Sequence, residues 1–537
     1  MVRRLLMEEP KRAVPGLRPD TLERVAAVVL AFVALAYVPL YLSMPLARDQ
    51  GLFAWVAMVV RDGGLPYRDA WEVKGPLVYL VYALPVSLFG SVSWGVRLVD
   101  LLFVMGGMRL LYVALRPRVS TPLAILTALV LFTYYTYNFW DSAQADSWAS
   151  LVLLGCLVLF FADGGRRRPW VALLAGVLLG LLALFKPLYG LFCVLPPVYA
   201  LVSEPRAWRA NVTFVATAAL GVLATLGLFV LVFWLRGGLE ALVDIQFHFN
   251  PSVYQGTHQR SFAASLHELR ARLMEPHMLA LHVLGLVGPA WYARSARREV
   301  TLLYTAYLVG FIALCIQNKF YPYHFFILLP ALFVGMGLAL QATGEVLKEK
   351  PQALRLLPRL GALGLLGFGL FPLVLMMSMR AEDGLDYLNG ELSAVEYNAT
   401  FNGLDFYYED IAALAEHITE STAPEDTVLV YGFDAGINFL SNRHSPTRFG
   451  FQYPLVVGTQ EYKARYRAEF LAALEAHPPK LIVVADRIDN NLYRGTSVTL
   501  LNDFPALKEL LERDYKPEAR TRHYLLFRRA SPGEASR

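Results

Sequence analysis

Long apolar segments recur along most of this sequence, and they restrict the possible fold more than any other feature. A helix needs about 20 apolar residues to cross a bilayer, and about eleven segments reach or approach that length. The chain has 537 residues, of which 56% are hydrophobic, a balance that soluble globular domains do not have. The sequence therefore predicts an α-helical polytopic membrane protein. The predicted spans are 25–44, 96–114, 121–139, 143–162, 170–185, 188–203, 212–235, 277–293, 299–316, 324–342 and 360–379.

Two segments leave the number of spans open. The run 76–89 has about 14 residues, fewer than the roughly 17 that a crossing needs. The run 170–203 is either one interrupted helix or a hairpin that turns at Lys186. Basic residues concentrate in cytoplasmic loops, and all basic clusters fall on one side only when 76–89 does not span and 170–203 is a hairpin. This choice predicts about eleven spans, with the N-terminus in the cytoplasm and the C-terminus outside. The clusters lie within 3–12, 116–118, 166–168, 206–209, 294–298 and 348–359.

The predicted domain organisation follows from these spans. Residues 1–24 form a cytoplasmic N-terminus, and the apolar run after them lacks a persuasive cleavage site, which favours an anchor over a removed signal. Residues 25–379 form the membrane domain, with an outer-face loop at 45–95, and residues 380–537 form a soluble outer-face α/β domain. The predicted strands of that domain are 426–433, 480–486 and 523–529, and its predicted helices are 405–419, 460–476 and 499–513.

Composition excludes several function classes. The net charge of +5 is modest and gives no indication of nucleic-acid binding. The three cysteines lie inside apolar runs, so neither a disulfide framework nor a thiolate metal site is expected. The segment GFDAG at 432–436 lacks the GxGxxG spacing of a dinucleotide-binding loop.

Carboxylates mark the segments that are predicted to lie outside. Asp49 begins a segment of helical spacing at 50–62, which is predicted to lie along the membrane surface. Asp141 and Asp146 precede and begin the fourth span on the same face. Each acid is either an interfacial anchor or helix cap, or a functional group, since carboxylates at membrane depth are costly. Two acids from separate segments could share a metal ion or divide the roles of base and positioning group.

Cations are predicted on the same face. Lys74, Lys186 and Lys319 could each snorkel to the interface, but several cations in one place favour an anionic ligand, most simply a phosphate or diphosphate. Lys186 departs most from snorkelling, because it lies between two apolar halves with a proline beside it. Arg97 and Asp100 are three residues apart on the second span and are interpreted first as an internal ion pair and second as a ligand site.

Aromatic and histidine residues complete the candidate set. His324 begins a span at the outer face, between Tyr323 and a phenylalanine and close to Tyr321. It belongs either to an aromatic belt or to a site where it donates a hydrogen bond to a phosphate or a sugar. The loop 236–276 carries further histidines and arginines, but their spacing is not that of a metal site. It is predicted to be a mobile flap.

Several short segments occur in a characteristic order: ARDQGLFAW, GGLPYRDAWEVKGPLVYLVYAL, RLVDLL, AQADSW, GLLALFKPLYG and KFYPYHFFILLPAL. In combination they resemble the GT-C superfamily of glycosyltransferases, and within it the family of protein O-mannosyltransferases and lipid A aminoarabinose transferases. The resemblance covers about residues 25–379. It implies a donor sugar carried on a polyprenyl phosphate, with transfer on the outer face of the membrane.

The resemblance also implies roles for single residues. The first-loop acid of the family matches Asp49, its second acid matches Asp146, and its loop lysine matches Lys74. The family often has a second acid directly after the first, where this chain has Gln50. Dependence on a divalent cation such as Mg²⁺ or Mn²⁺, held by Asp49 and Asp146, is therefore left open.

The resulting hypothesis is an inverting glycosyl transfer to a lipid, glycan or protein acceptor. Asp49 accepts or orients the proton of the acceptor hydroxyl, and Asp146 binds sugar hydroxyls or positions a cation. Cationic and hydrogen-bonding groups stabilise the leaving polyprenyl phosphate, and the segment 76–89 lines a groove for the prenyl chain. The predicted substrate-binding residues are Lys74, Arg97, Asp141, Lys186, Lys319, Tyr323 and His324.

Two alternatives stay open at the level of the sequence. A transporter or lipid flippase would use a broken helix near the bilayer midplane, and Lys186-Pro187 could be the unwound part of such a helix. A glycan ligase would use a lipid-diphosphate donor instead. Under every alternative the protein is predicted in the plasma (inner) membrane. Under the transferase hypothesis its active site and C-terminal domain face the periplasm or exterior.

Overall fold

The computed structural model of the protein describes residues 21–254, 260–346, 352–403, 405–486 and 495–530. Most of the predicted cytoplasmic N-terminus lies outside these residues, and so do His258 of the predicted flap and Lys348 of the last basic cluster.

Helices make up most of the described chain. The α-helices are α1 (Thr21–Ser43), α2 (Arg48–Arg61), α3 (Pro76–Phe89), α4 (Ser93–Leu115), α5 (Thr121–Thr136), α6 (Ala145–Asp163), α7 (Pro169–Phe185), α8 (Leu195–Ser203), α9 (Trp208–Leu235), α10 (Leu239–Val243), α11 (Phe262–Leu273), α12 (Pro276–Trp291), α13 (Arg297–Gln317), α14 (Leu329–Thr343), α15 (Gln352–Asn389), α16 (Ala394–Ala399), α17 (Tyr408–Ser421), α18 (Gly436–Ser441), α19 (Tyr453–Val456), α20 (Gln460–Ala476), α21 (Ser497–Leu501) and α22 (Pro505–Asp514). Two 3₁₀-helices, Pro187–Val194 and Pro322–Leu328, precede α8 and α14, and a π-helix follows α10 at Asp244–Tyr254.

Each of the eleven predicted spans coincides with a helix. Within the described residues, seven helices are long and apolar enough to cross a membrane. The remaining predicted spans fall on the shorter helices α5, α7, α8 and α12. α3 has 14 residues and two prolines, which agrees with the prediction that this segment is too short to span. The predicted polytopic helical fold is confirmed. The seven long helices are Arg24–Ser43, Ser93–Leu115, Ala145–Asp163, Trp208–Leu235, Arg297–Gln317, Pro322–Thr343 and Leu357–Asn389.

The chain divides into two compact units. One, the spanning unit, comprises Met1–Tyr41, Leu98–Phe229 and Arg260–Ala381. The other, the loop–tail unit, comprises Leu42–Arg97, Val230–Gln259 and Glu382–Arg537. The loop–tail unit therefore joins the predicted first outer loop and the C-terminal segment in one body, and the domain boundaries predicted at 24 and 379 stay a prediction.

The predicted hairpin within 170–203 is present in the spanning unit. α7 ends at Phe185, and Lys186 has an extended backbone before the chain turns. The hydroxyl of Tyr199 then accepts a hydrogen bond from the backbone N–H of Gly165 (2.8 Å) and donates one to Asp163. Both of these residues precede α7, so the chain returns to the end from which α7 started, and the hairpin prediction is confirmed.

The basic loops of the spanning unit meet at this same end. Arg118 donates to Glu299 (2.9 Å), and Glu299 also accepts from Arg298 (2.9 Å). Gly165 lies directly against the guanidinium of Arg298, and Arg167 donates to Asn211 (2.8 Å). Four loops that carry predicted cytoplasmic arginines therefore share one end of this unit, as the positive-inside rule requires.

A four-stranded sheet lies in the loop–tail unit, in the order β1-β2-β4-β3. β1 (Val428–Tyr431) and β2 (Leu481–Ala485) are parallel and fully buried, while β4 (Tyr524–Arg529) pairs antiparallel with β2 and with β3 (Tyr515–Arg520). β1, β2 and β4 correspond to the predicted strands. β3 was not predicted, because its sequence is polar and contains Pro517, which a strand tolerates at the edge of a sheet.

α2 confirms the helix predicted at 50–62, and its position along the membrane surface stays a prediction. Nine consecutive residues, from Gln50 to Met58, are buried. Protein atoms therefore surround α2 over this stretch, which the alternation of apolar and polar residues in its sequence did not indicate.

Candidate active site

Asp49 lies in the first turn of α2, where a carboxylate interacts favourably with the helix dipole. The following residue, Gln50, is buried, and its side-chain oxygen accepts hydrogen bonds from the backbone N–H of Ala47 (3.0 Å) and from the guanidinium of Arg97 (2.8 Å). Gln50 therefore closes the start of the helix that carries Asp49. This is a structural role for the position where the related family often has a second acid.

Arg97 supports the same turn. Its side chain is fully buried at the start of α4, and besides Gln50 it donates to the backbone carbonyls of Met44 (3.5 Å) and Pro45. These bonds hold the chain that leads into α2. The guanidinium of Arg97 thus shapes the backbone before Asp49, and its predicted contact with a substrate stays a prediction.

A hydrogen-bonded framework holds Lys74. Its backbone N–H donates to the buried carboxylate of Glu72 (2.5 Å), and the hydroxyl of Tyr79 donates to the same oxygen. Its backbone carbonyl accepts from Tyr67 (2.7 Å) and from the amide of Gln246 (3.0 Å). Because the backbone is fixed from both sides, the ammonium of Lys74 extends from a rigid base.

The charges of Asp49, Glu72 and Lys74 act on one another. Burial raises the pKa of Glu72, the positive charge of Lys74 opposes this shift, and the negative charge of Asp49 adds to it. Two predicted site residues, Asp49 and Lys74, therefore belong to one electrostatic cluster in the loop–tail unit. Glu72, which sequence reasoning did not single out, interacts electrostatically with both of them.

Asp146 and Lys186 meet in the spanning unit. Asp146 lies in the first turn of α6, and Lys186 follows the last residue of α7 at the tip of the hairpin. The ammonium of Lys186 donates to Oδ1 of Asp146 (2.7 Å) and to the amide oxygen of Gln317 (2.7 Å), and the hydroxyl of Tyr189 donates to the same Oδ1. No hydrogen bond from a described residue reaches the buried Oδ2 of Asp146, so this oxygen is the one that can accept from a ligand.

Asp141 lies in the loop that joins α5 to α6. Its side chain is buried and accepts a hydrogen bond from the amide of Asn138 (2.8 Å). Burial raises the pKa of Asp141 to about 7; Asn138 and Arg272 lower it, and Glu275 raises it further. Asp141 therefore changes its charge near neutral pH, which no feature of the sequence indicated.

Lys319, Tyr323 and His324 surround the start of the 3₁₀-helix that leads into α14. Lys319 and His324 are buried, and the ring of His324 lies edge-on to Tyr323, with ring centroids 4.7 Å apart. The preceding segment contains Gln317, which binds Lys186. The segment with Lys319 and His324 thus follows directly on a residue that binds Lys186, and a shared substrate site stays a prediction.

Strained backbone marks these same segments. Non-glycine residues rarely have positive φ, and such strain concentrates at functional sites. Asn318 (φ 50°) and Phe320 (φ 53°) flank Lys319, Ala143 (φ 53°) lies between Asp141 and Asp146, and Tyr67 (φ 72°) belongs to the framework of Lys74. Four of the six described non-glycine residues with positive φ therefore adjoin predicted site residues.

Sequence reasoning missed several hydrogen-bonding partners of the predicted site residues. Glu72, Tyr189 and Gln317 all lie within two to three residues of a predicted lysine. That proximity was visible in the sequence. Which of them would contact which charge depends on the fold, because Lys186 and Gln317 are 131 residues apart.

A different cluster could hold a metal ion. Ligand atoms of Glu409, Asp410 and His523 lie within 4.8 Å of one another in the loop–tail unit. The Nδ1 atom of His523 is 2.8 Å from Asp410 Oδ2. One imidazole and two carboxylates are donors that zinc accepts. The two acids that the sequence predicted as metal ligands, Asp49 and Asp146, belong to different units.

Comparison with known proteins bears on this arrangement. A family model described as dolichyl-phosphate-mannose-protein mannosyltransferase matches residues 73–234. The structure of ArnT from Cupriavidus metallidurans in the apo state is 17% identical, with a TM-score of 0.60, over 93% of this chain and 97% of that chain. The chain has the GT-C glycosyltransferase fold.

Two further solved structures resemble this chain. ArnT from the same organism bound to undecaprenyl phosphate has a TM-score of 0.57, with the same identity and coverage. An oligosaccharyltransferase from Archaeoglobus fulgidus, tethered with an acceptor peptide, has a TM-score of 0.47 at 12% identity, over 92% of this chain and 72% of that chain. No curated protein matches the sequence.

The family match overlaps the predicted site. Residues 73–234 contain Lys74, Arg97, Asp141, Asp146 and Lys186, which are five of the nine predicted site residues. Asp49, Lys319, Tyr323 and His324 lie outside the matched segment. The resemblance to GT-C glycosyltransferases that the sequence motifs indicated is confirmed.

Proposed function

We propose that this protein is an inverting membrane glycosyltransferase that moves a sugar from a polyprenyl-phosphate donor to a lipid, glycan or protein acceptor. The observation that carries the proposal is the family match over 73–234, because it includes both Lys74 and the buried Asp146–Lys186 pair. The GT-C fold over nearly the whole chain supports it. ArnT binds undecaprenyl phosphate, and the family description names dolichyl-phosphate-mannose. Both support a donor sugar carried on a polyprenyl phosphate.

The reaction exchanges one bond at the anomeric carbon of the sugar. An acceptor oxygen forms a bond to this carbon while the bond to the phosphate oxygen breaks, and the leaving polyprenyl phosphate takes the electron pair. The acceptor hydroxyl releases a proton, which Asp49 accepts. Nearby cations stabilise the negative charge that develops on the phosphate.

Different roles for the cations belong to this proposal and are supported by their contacts. Lys74 extends from its rigid framework and would bind the phosphate, together with Lys319 and His324. Lys186 is already paired with Asp146 Oδ1, so its role is to orient that carboxylate. Asp146 Oδ2 then accepts hydrogen bonds from the hydroxyls of the sugar.

The hairpin bears on the transporter alternative. That alternative used Lys186-Pro187 as the unwound part of one continuous helix. The contacts of Tyr199 with Asp163 and Gly165 show instead that these residues form the tip of a hairpin. The feature that most favoured a transporter is therefore accounted for by the fold.

A divalent cation is a separate part of the proposal. Asp49 and Asp146 would supply the carboxylate oxygens that Mg²⁺ and Mn²⁺ prefer. Removal of cations with EDTA should abolish transfer, and Mg²⁺ or Mn²⁺ should restore it. If Zn²⁺ alone restores transfer, and the His523→Gln variant no longer responds to it, the cluster of Glu409, Asp410 and His523 is the metal site instead.

The proposed location is the plasma (inner) membrane, with the site and the loop–tail unit facing the periplasm or exterior. Many membrane-spanning helices support a multi-pass membrane protein. The basic loops share one end of the spanning unit, and basic loops are retained in the cytoplasm. This supports a position of the Asp146–Lys186 pair, at the start of α6 and the tip of the hairpin, on the outer side.

The experiment compares cells with and without the protein by mass spectrometry of their glycolipids and glycoproteins. Loss of one sugar modification identifies the product, and the variant Asp49→Asn should fail to restore it, with transfer reduced about 100-fold or more. Asp62→Asn is the matched control, because Asp62 is a half-exposed acid at the other end of α2, paired with Arg61. Full transfer by Asp49→Asn would exclude the base role, and an unchanged set of glycans would exclude the function.

A further inference from the structure

The segment GFDAG, which is not a dinucleotide-binding loop, lies against the first turns of α2. A Cβ atom built on Gly51 of α2 would be 3.0 Å from the Cα atom of Gly436, the first residue of α18. Two glycines therefore let these two backbones approach more closely than any pair of side chains would allow. Gly436 of this motif thus allows close contact with the helix that carries Asp49.

The aspartate of the same motif binds the residue next to Asp49. Asp434 is buried, and its Oδ1 accepts a hydrogen bond from Nε of Arg48 (3.1 Å), while its Oδ2 accepts one from the hydroxyl of Tyr524 (2.7 Å). Arg48 also donates to the carboxylate of Asp405 (2.7 Å) and to its backbone carbonyl. Arg48 is thus held by two carboxylates from the tail of the chain.

Electrostatics favours this arrangement over an unpaired Arg48. Burial by itself lowers the pKa of Arg48, and the charges of Asp434 and Asp405 reverse this and raise it. Removing one partner of a buried ion pair leaves an uncompensated charge, which is strongly destabilising. The orientation of the first turn of α2 therefore depends on the two tail carboxylates.

We propose that Asp434 is a positioning residue for Asp49, and that the C-terminal segment holds the catalytic helix in its working orientation through Arg48. This inference rests on the proposed function for the role of Asp49. Its structural part, the dependence of the first turns of α2 on Asp434, is independent of which reaction the protein performs.

The chain offers a matched control for Asp434. Asp486 follows the parallel strand β2 as Asp434 follows the parallel strand β1, and each carboxylate binds one arginine. The partner of Asp486 is Arg520 of β3 (2.9 Å). β3 is the edge strand at the opposite end of the sheet from β1. Substitution of Asp486 by Asn thus removes an arginine–carboxylate pair that is more exposed than Arg48–Asp434 and does not involve α2.

The test is hydrogen–deuterium exchange on the full-length protein in detergent. In Asp434→Asn, the amides from Gly51 to Trp55 should exchange about tenfold faster, since a hydrogen bond to a charged group is lost, whereas Asp486→Asn should leave them unchanged. Tyr524→Phe, which removes one hydroxyl from Asp434, should give a smaller change in the same direction. Unchanged exchange of β1 and β2 shows that each variant is folded.

A double variant separates positioning from general destabilisation. If Asp434 acts through Arg48, Asp434→Asn should add nothing to the exchange of α2 in an Arg48→Gln background, and independent effects of the two substitutions would overturn the proposal. In the assay that forms the product identified above, the turnover number should fall about as much in Asp434→Asn as in Arg48→Gln. The KM for the donor should not change in either variant. Unchanged α2 exchange in Asp434→Asn refutes the positioning role, whereas normal transfer in Asp49→Asn refutes the proposed function.

Discussion

At the scale of single residues, the buried charges of the site are held by partners that lie far away in the sequence. Lys186 binds Asp146, 40 residues earlier, and Gln317, 131 residues later. Lys74 is held through its backbone by Tyr67 and Gln246. The ammonium of Lys186 is thus fixed by its side-chain partners, and the backbone of Lys74 is fixed by its neighbours, before any ligand binds.

The Asp146–Lys186 pair predicts a non-additive effect on stability. Lys186→Gln leaves the carboxylate of Asp146 buried without its cation and should lower the free energy of unfolding by about 3–5 kcal/mol. The double variant Asp146→Asn, Lys186→Gln should be more stable than Lys186→Gln alone, because no charge stays buried. Thermal unfolding in detergent of the wild type, the two single variants and the double variant measures this, with Lys508→Gln, at a partly exposed lysine, as the control. Additive effects would contradict a coupled pair.

Asp141 predicts a pH dependence of stability. Burial raises its pKa to about 7 in the folded protein, from an ordinary value of 3.8. Between these values the folded state holds a proton that the unfolded state has released, so stability falls as the pH rises through this window and is constant above it. Asp141→Asn does not titrate, and should be more stable than the wild type at pH 8, by up to about 4 kcal/mol, and nearly equal to it at pH 4.5.

Melting temperatures of both proteins across pH 4.5 to 8 provide the measurement. Asn can still accept the hydrogen bond from Asn138, so the substitution changes mainly the charge. A difference in melting temperature that is the same at both ends of the range would show that Asp141 does not titrate there.

At the scale of helices and strands, close contacts between glycines determine which elements pack together. In the spanning unit, a Cβ atom built on Gly335 of α14 would lie 1.9 Å from the backbone oxygen of Gly285 of α12, and one on Gly288 would lie 2.0 Å from the oxygen of Gly335. Small residues at helix interfaces allow such approach within membranes. α12 and α14 are thus fitted to each other by backbone contact.

Gly335→Ala tests this helix pair. The added methyl group must push the two helices apart, which should cost about 1–3 kcal/mol of stability. Gly364→Ala on α15 is the control, because a Cβ atom there meets no described atom within 4 Å, and alanine favours helix over glycine. Melting temperatures in detergent should fall for the first variant only; a similar fall for both would mean that the contact is not the cause.

At the scale of the whole molecule, the chain returns twice to the same compact unit. The first loop and the tail after residue 381 pack in one loop–tail unit, where the backbone N–H of Trp71 donates to the carbonyl of Arg448 (2.6 Å) and Arg448 donates to the carbonyl of Tyr67 (2.8 Å). The ring of Trp71 also packs against Phe249 and Phe451, with centroid distances of 5.0 and 5.7 Å. The backbone next to Lys74 is therefore supported by the C-terminal segment.

Membrane orientation predicts a labelling pattern. In a variant without Cys156, Cys193 and Cys315, a cysteine at Arg206 should be protected from a membrane-impermeant maleimide in intact cells, whereas one at Glu391 should react. The reason is that basic loops stay in the cytoplasm and an odd number of spans places the tail outside. The reverse pattern would invert the topology.

The sequence by itself determined the positions of the eleven apolar helices, the hairpin at Lys186 and three of the four strands, and it predicted the segments that carry the site. These follow from local signals, since apolar length and basic loops act within one segment at a time. Only the tertiary structure decided that Lys186 would bind Asp146, that α2 would be buried and that GFDAG would hold Arg48. Such contacts join residues from 40 to almost 400 positions apart, and their energy depends on burial and distance, which no local pattern contains.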